Sequence, residues 1–156
     1  MQPLVVRQAV VADLDAAAVL FDQCRQFQGQ PADLPACRGF LRERFDHGES
    51  VIFLATLDAR PVGFAQLYPS YSSTALARVF ILNDLYVSAQ ARRSGAASAL
   101  LGAVERHAWA FGACRVSLNV LRSNAQAQSL YHALGWILDE EFFMFHRRPH
   151  GGSGAP

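Results

Sequence analysis

The chain has 156 residues, the size of one ordinary domain, and 51% are hydrophobic against 17% charged, which excludes a disordered chain. A formal net charge of +1 gives no electrostatic drive toward nucleic acid or an anionic membrane, and neither is expected as a partner. Cys24, Cys37 and Cys114 are odd in number and far apart, which argues against a disulfide framework or a paired-cysteine zinc site and fits a reducing cytoplasm. The opening MQPLVVRQAV has no basic region followed by a long apolar run, so no signal peptide is expected. No stretch reaches the roughly 18 apolar residues of a spanning helix.

Val5 and Val6 begin a short strand. Asp13 then stands where it can cap a helix with Leu14, Ala17, Ala18 and Phe21 at helical spacing. The Gly- and Pro-containing stretch from Gly29 to Pro35 breaks that helix, and a second is predicted from Ala36 to Asp46, before Gly48. Val51 to Leu57 reads as a strand, Asp58 to Pro61 as a hairpin turn, and Val62 to Tyr68 as the returning strand. Pro69 and the Ser-rich run from Ser70 to Thr74 are expected in a loop. Arg78 to Val87 is the most apolar strand of the set.

A helix from Gly95 to Phe111 follows, with Leu100, Leu101, Val104, Ala108 and Phe111 at helical intervals and Gly112 as its stop. Arg115 to Val120 reads as a strand, Asn124 to Leu134 as a helix ended by Gly135, and Ile137 to Phe145 as a strand closing the sheet. The expected fold is α/β (α+β): one domain over residues 1–148, with a mixed, mostly antiparallel sheet of about six to seven strands and about four helices. The Gly-rich residues 149–156 are expected to form a flexible tail.

The stretch FILNDLYVSAQARRSGAASALLG, residues 80–102, carries the first chemical signal. An apolar strand ends at Val87, a polar connection follows, and a helix starts at a glycine. The first N–H groups of a helix lack partners inside it, and its dipole puts about half a positive charge at that end. Gly95, Ala96, Ala97 and Ser98 are small enough for an anion to approach the backbone, and Arg92 and Arg93 add fixed charge beside it. The pattern suits a diphosphate. It lacks the Gly-Lys-Ser/Thr of a nucleotide P-loop and the three glycines of a dinucleotide fingerprint. Solvated arginines before an alanine-rich helix are the bland alternative.

The second signal is Asn124-x-x-Ala127-x-x-Leu130-Tyr131-x-x-Leu134-Gly135-Trp136. It sets a phenol, Tyr131, on an otherwise apolar helical stripe, where it can donate one hydrogen bond or proton. A core tyrosine is the competing role, and for Asn124 the competing role is an N-cap. The five histidines have no metal spacing, so no metal is expected.

With these two motifs in order, the chain resembles the GNAT N-acetyltransferase superfamily: Arg92-x-x-Gly95-x-Ala97 matches its Gln/Arg-x-x-Gly-x-Gly/Ala signature, preceded by a strand ending Asp84-Leu85-Tyr86-Val87. The resemblance covers about residues 4 to 146. Residues 63–73 together with 81–87 look like the branch that acetylates polyamines, other small amines and histones. It implies acetyl-CoA as co-substrate and direct transfer of its acetyl group to a primary amine in a ternary complex.

The resemblance also implies roles by position. Backbone groups of Leu85, Tyr86 and Val87 would bind the pantetheine arm, on a strand that bulges and splays from its neighbour. Amides from Arg92 or Arg93 through Ser94, Gly95, Ala96 and Ala97 to Ser98 would bind the pyrophosphate. Asn124 would touch the pantetheine or the product end, and Tyr131 would lie near the thioester sulfur and protonate the leaving thiolate. Polyamine-type relatives carry a Glu as base where this chain has Asn83, an amide that accepts no proton at neutral pH. Asp84 is the nearest carboxylate, although alternation along a strand leaves its facing open and a structural hydrogen bond is its other role. Glu140 and Glu141 are further candidates.

A small amine, polyamine-like or amino-acid-like, is the leading acceptor. A protein lysine or N-terminus, or a non-catalytic acyl-CoA-binding module, are the alternatives. The apolar residues Phe142, Phe143 and Phe145 are available for a homodimer or for burial within one subunit.

Overall fold

The side-chain alternation of one strand sets the layers. In β2, Val51–Leu57, Ile52 and Leu54 join a cluster with Leu14, Ala17, Ala18 and Leu20, while Phe53 between them meets His107 edge to face at 5.5 Å. Successive strand residues point to opposite faces. One face of the sheet is therefore covered by α1 (Leu14–Phe27) and α2 (Leu34–His47), and the other by α3 (Ala96–Ala110). This computed structural model describes residues 3–151.

The chain divides into two compact units, Met1–Asn119 and Val120–Pro156. The first holds a sheet of five strands in the order β1 (Leu4–Gln8), β2, β3 (Arg60–Ser72), β4 (Ala77–Val87) and β5 (Val116–Leu118). All pairings are antiparallel except β4 with β5, which is parallel over Phe80–Leu82 and Val116–Leu118. The second unit holds α4, Ala125–Ala133. Among the described residues no helix is long and apolar enough to cross a membrane.

Most expected elements form, with informative differences. Asp13 occupies the N-cap position of α1 but makes no capping bond. Its carboxylate turns back to accept both arms of Arg7, each at 2.7 Å, and the Val10 N–H at 2.8 Å. In α2 the cap is Asp33, which accepts from the Ala36 N–H, and Gly48 ends the helix at φ +60°.

The β2–β3 connection is a two-residue turn in which Asp58 and Ala59 both take positive φ, the conformation that matches strand twist in a tight hairpin. β3 then continues through Pro69 to Ser72, where a loop was expected. Beyond Leu67 it has β4 on one side and no longer pairs with β2, so a proline can sit there without breaking a second ladder.

The expected six to seven strands are corrected to five among the described residues, because Ile137–Phe145 forms no strand. The Asp139 carboxylate captures the N–H groups of Glu141 and Phe142 at 2.9 and 3.3 Å, a local turn that competes with any ladder. The side chains there are open to solvent, Ile137 and Phe145 each at 91% exposure. Of the expected tail 149–156, residues 152–156 lie outside the described residues.

Candidate active site

The site grows from a defect in β4. Gln66 pairs with Asp84 and Leu67 with Leu82, so Asn83 is one residue too many on β4, a β-bulge. Phe80, two residues before Leu82, meets His107 of α3. Without the bulge, Asp84 would face α3 as well. With it, Asp84 lies opposite Gln66 on the α1 face, where Tyr86 joins the α1 cluster. The bulge thus settles the facing of Asp84 that alternation alone left open.

The same strand has an open edge. β5 pairs with β4 only as far as Leu82, and among the described residues Asn83–Val87 carry no ladder on that side. On the other side Ser88 N–H donates to the Val62 carbonyl at 2.8 Å. Backbone groups alternate edges along a strand, so Tyr86 also turns its N–H and C=O toward β3, and Leu85 and Val87 present theirs to the open edge. Gly63 permits this close approach: a Cβ on it would come within 2.8 Å of the Tyr86 carbonyl oxygen.

After β4, a single 3-10 turn at Ala89–Ala91 leads into the arginines. Arg93 and Gly95 both adopt left-handed φ, +64° and +84°. Ser94 N–H returns to the Ala91 carbonyl and Ala96 N–H to the Ser94 hydroxyl, and the first intrahelical bond runs from Ala99 to Gly95. The N–H groups of Gly95, Ala97 and Ser98 have no partner among the described residues. Nothing lies within 4 Å of a Cβ built on Gly95, so the space before the helix is open. Arg92 is held with its guanidinium 5.2 Å from the Phe27 ring centre, at the end of α1. Unpaired amides, a helix start, two arginines and open space together fit a diphosphate group.

On the α1 face Asp84 is 7% exposed. Its Oδ2 accepts from Gln66 Nε2 at 2.9 Å and Asn83 Nδ2 at 3.3 Å. Its Oδ1 accepts nothing among the described residues and is not sealed from solvent. Burial pushes the carboxyl above the usual carboxylate range, against the pull of the two amide donors. Burial, with the Asp84 charge second, lifts the Cys24 thiol and the Tyr68 phenol each to about 12, so both are neutral neighbours. Gln66, Cys24 and Tyr68 were not singled out from sequence. A glutamine inside the apolar run Phe64–Leu67 is the one signal that points to them.

In the second unit Asn124 caps α4, its Oδ1 accepting from Ala127 N–H at 3.0 Å, and its amide nitrogen has no partner among the described residues. Tyr131 is half-buried, with the Trp136 ring 5.9 Å away, and burial raises its phenol above the ordinary value. Glu140 and Glu141 are exposed.

A mixed α/β sheet whose fourth strand has a free backbone edge beyond Leu82 and leads into a helix start with unpaired amides is suited to an extended, phosphate-bearing ligand. Residues 15–136 match the family described as acetyltransferase (GNAT) family. The chain is 41% identical over 137 residues to the uncharacterized N-acetyltransferase YhfO of Bacillus subtilis (strain 168), covering 88% of this chain and 92% of that protein. A crystal structure of a probable acetyltransferase superposes with a TM-score of 0.88 at 39% identity, covering 93% and 97% of the two chains. The aminoglycoside N-acetyltransferase AAC(6')-Iy, solved in complex with CoA, shares the fold at a TM-score of 0.79 and 22% identity, over 96% of this chain and 97% of that one. The chain belongs to the GNAT acetyltransferase family and is an acetyl-CoA-dependent N-acetyltransferase.

Proposed function

We propose that the acceptor is a primary amine on a small molecule, polyamine-like or amino-acid-like, attacked directly in a ternary complex. The enclosure of Asp84 supports a primary amine: the carboxylate is 7% exposed on the α1 face, with one oxygen free to take a proton. Proteins with this fold include one solved with a bisubstrate analogue of CoA and an acetylneamine, at 23% identity, which supports a small acceptor by fold alone.

In this reading the thioester supplies the acetyl group, and the chain's residues supply position and proton traffic. The amides of the turn from Arg92 to Ser98 hold the pyrophosphate. Leu85 and Val87 hold the pantetheine arm with their edge-facing backbone groups, and Tyr86 backs them from the β3 side. The Val87 N–H donates to the thioester carbonyl oxygen. The unused amide nitrogen of Asn124 is a donor for the pantetheine. Asp84 takes the proton that the amine loses, and a carboxyl raised by burial is better matched to that task near neutral pH. Tyr131 returns a proton to the leaving thiolate, and its raised phenol keeps that proton available.

Two features bear on the setting. The free thiols Cys24, Cys37 and Cys114 support a reducing, cytoplasmic location. Exposure of Phe142, Phe143 and Phe145 supports a homodimer that covers them.

The test is release of CoA, read with a thiol reagent, across a panel of polyamines, amino acids, aminoglycosides and lysine peptides, with acetyl-CoA binding followed by calorimetry. Release with a small amine is expected. Release with peptides alone would overturn the small acceptor, and binding without release for any amine would favour a non-catalytic acyl-CoA module.

A further inference from the structure

The bulged residue Asn83 lies beside the buried carboxylate of Asp84, opposite Gln66. Asn83 and Gln66 both donate to one oxygen of Asp84, at 3.3 and 2.9 Å, and leave the other without a partner. A carboxylate only accepts, so the Gln66 amide must turn its nitrogen toward Asp84. Its Oε1 is then left buried with no hydrogen-bond partner, and the whole residue is 0% exposed. An unpaired buried acceptor is destabilising. A glutamine kept for packing alone would be better replaced by an apolar residue of its size.

We propose that Gln66 is a positioning residue for the proton acceptor, clamping Oδ2 of Asp84 so that Oδ1 is the oxygen offered to the substrate amine. The proposal rests on the reading of Asp84 as that acceptor.

The amine nitrogen bonds to the acetyl carbon, the carbon–sulfur bond breaks, the proton lost by nitrogen goes to Oδ1 of Asp84, and the thiolate takes a proton from Tyr131 or water. Asp84 later returns its proton to solvent. With the proton on Oδ1, Oδ2 is still an acceptor for the Gln66 amide, so the clamp holds in both protonation states.

The groups facing Asp84 do not compete for this role. Cys24 on α1 and Tyr68 on β3 are neutral near pH 7, and the charges on this side, Arg44 and Glu49, act on Tyr68 in opposite directions.

The experiment compares Gln66→Leu, Gln66→Met and Asp84→Asn with the wild-type enzyme. The readouts are the pH profile of kcat/KM with the fastest amine of the panel, acetyl-CoA affinity by calorimetry, and NMR titration of the Asp84 carboxyl carbon, which needs no acceptor. With a donor lost, the Asp84 midpoint should move up by about one pH unit. The acid limb of kcat/KM should follow it, kcat should fall at least about tenfold, and acetyl-CoA affinity should stay unchanged. Gln66→Met keeps the side-chain length if the leucine variant fails to fold. An unmoved midpoint and acid limb in either folded variant, beside an inactive Asp84→Asn, overturns the positioning role alone. Wild-type kcat in Asp84→Asn overturns the base assignment and this proposal together.

Discussion

The guanidinium of Arg92 lies 5.2 Å from the centre of the Phe27 ring, so the last turn of α1 carries an arginine of the turn proposed to hold the diphosphate. Phe27 is 67% exposed and its ring is also 6.5 Å from that of Tyr86. An exposed cation–π contact is worth roughly 0.5–1 kcal/mol. Phe27→Ala should therefore weaken acetyl-CoA binding about two- to fivefold in calorimetry and leave the melting temperature nearly unchanged. Wild-type affinity would mean that Arg92 reaches its ligand without this platform.

Gly63 has a sharper constraint. Its added Cβ would sit 2.8 Å from the Tyr86 carbonyl oxygen, 3.2 Å from a Val87 methyl and 3.3 Å from a Leu100 methyl. The nearest of these is backbone and cannot swing aside. Overpacking of this kind typically costs about 1–3 kcal/mol. Gly63→Ala should lower stability by that amount in chemical denaturation. Because the displaced segment carries Leu85 and Val87, proposed to hold the pantetheine arm, acetyl-CoA affinity should fall as well. A variant with reduced stability and full affinity would separate the packing role from the cofactor edge.

These relationships were unevenly legible in the sequence. The turn at Arg92–Ser98 could be read because its cues are local: small residues, a glycine and arginines at a strand-to-helix junction. The facing of Asp84 could not, because it depends on the register of β4 against β3, and one extra residue at Asn83 reverses it. Gln66 was hidden for a related reason, since its meaning lies in a partner 18 positions away. The hydrophobicity of Ile137–Phe145 favours a strand by composition, yet a strand also needs a ladder, and Asp139 takes two of the N–H groups that would form it. The loop expected after Pro69 failed because a proline forbids only the ladder on its own N–H side.

Asp13 gives a stability prediction with a definite sign. Hydrogen bonds from Arg7 first and from the Val10 N–H second hold its carboxyl down from 3.8 to about 2. A depressed folded-state value adds stability that is complete above the unfolded value of 3.8 and is lost as pH falls through about 2. The Arg7 side chain is half exposed, so solvent screens the pair and the gain is on the order of 1 kcal/mol. Asp13→Asn should cost about that much at pH 7 by urea titration, and wild type and variant should converge near pH 2. An equal difference at both pH values would show that packing, not charge, makes the contribution.

Tyr131→Phe isolates the proposed proton donor. The change keeps the ring beside Trp136, whose own backbone N–H is tied to the Tyr131 carbonyl at 2.9 Å, so local structure should persist. Loss of a general acid typically lowers rate by about 10²–10⁴, and a thiolate is a good enough leaving group that the lower part of that range is expected. kcat should fall about a hundredfold while the acetyl-CoA KM stays within about twofold, since the interaction removed acts in the transition state. Burial raises the phenol above the ordinary tyrosine value, so it stays protonated through the neutral and mildly basic range. The kcat profile of the wild type should accordingly show no basic limb from this group in the neutral range. An unchanged kcat in the phenylalanine variant would remove Tyr131 from the chemistry and leave water to protonate the thiolate.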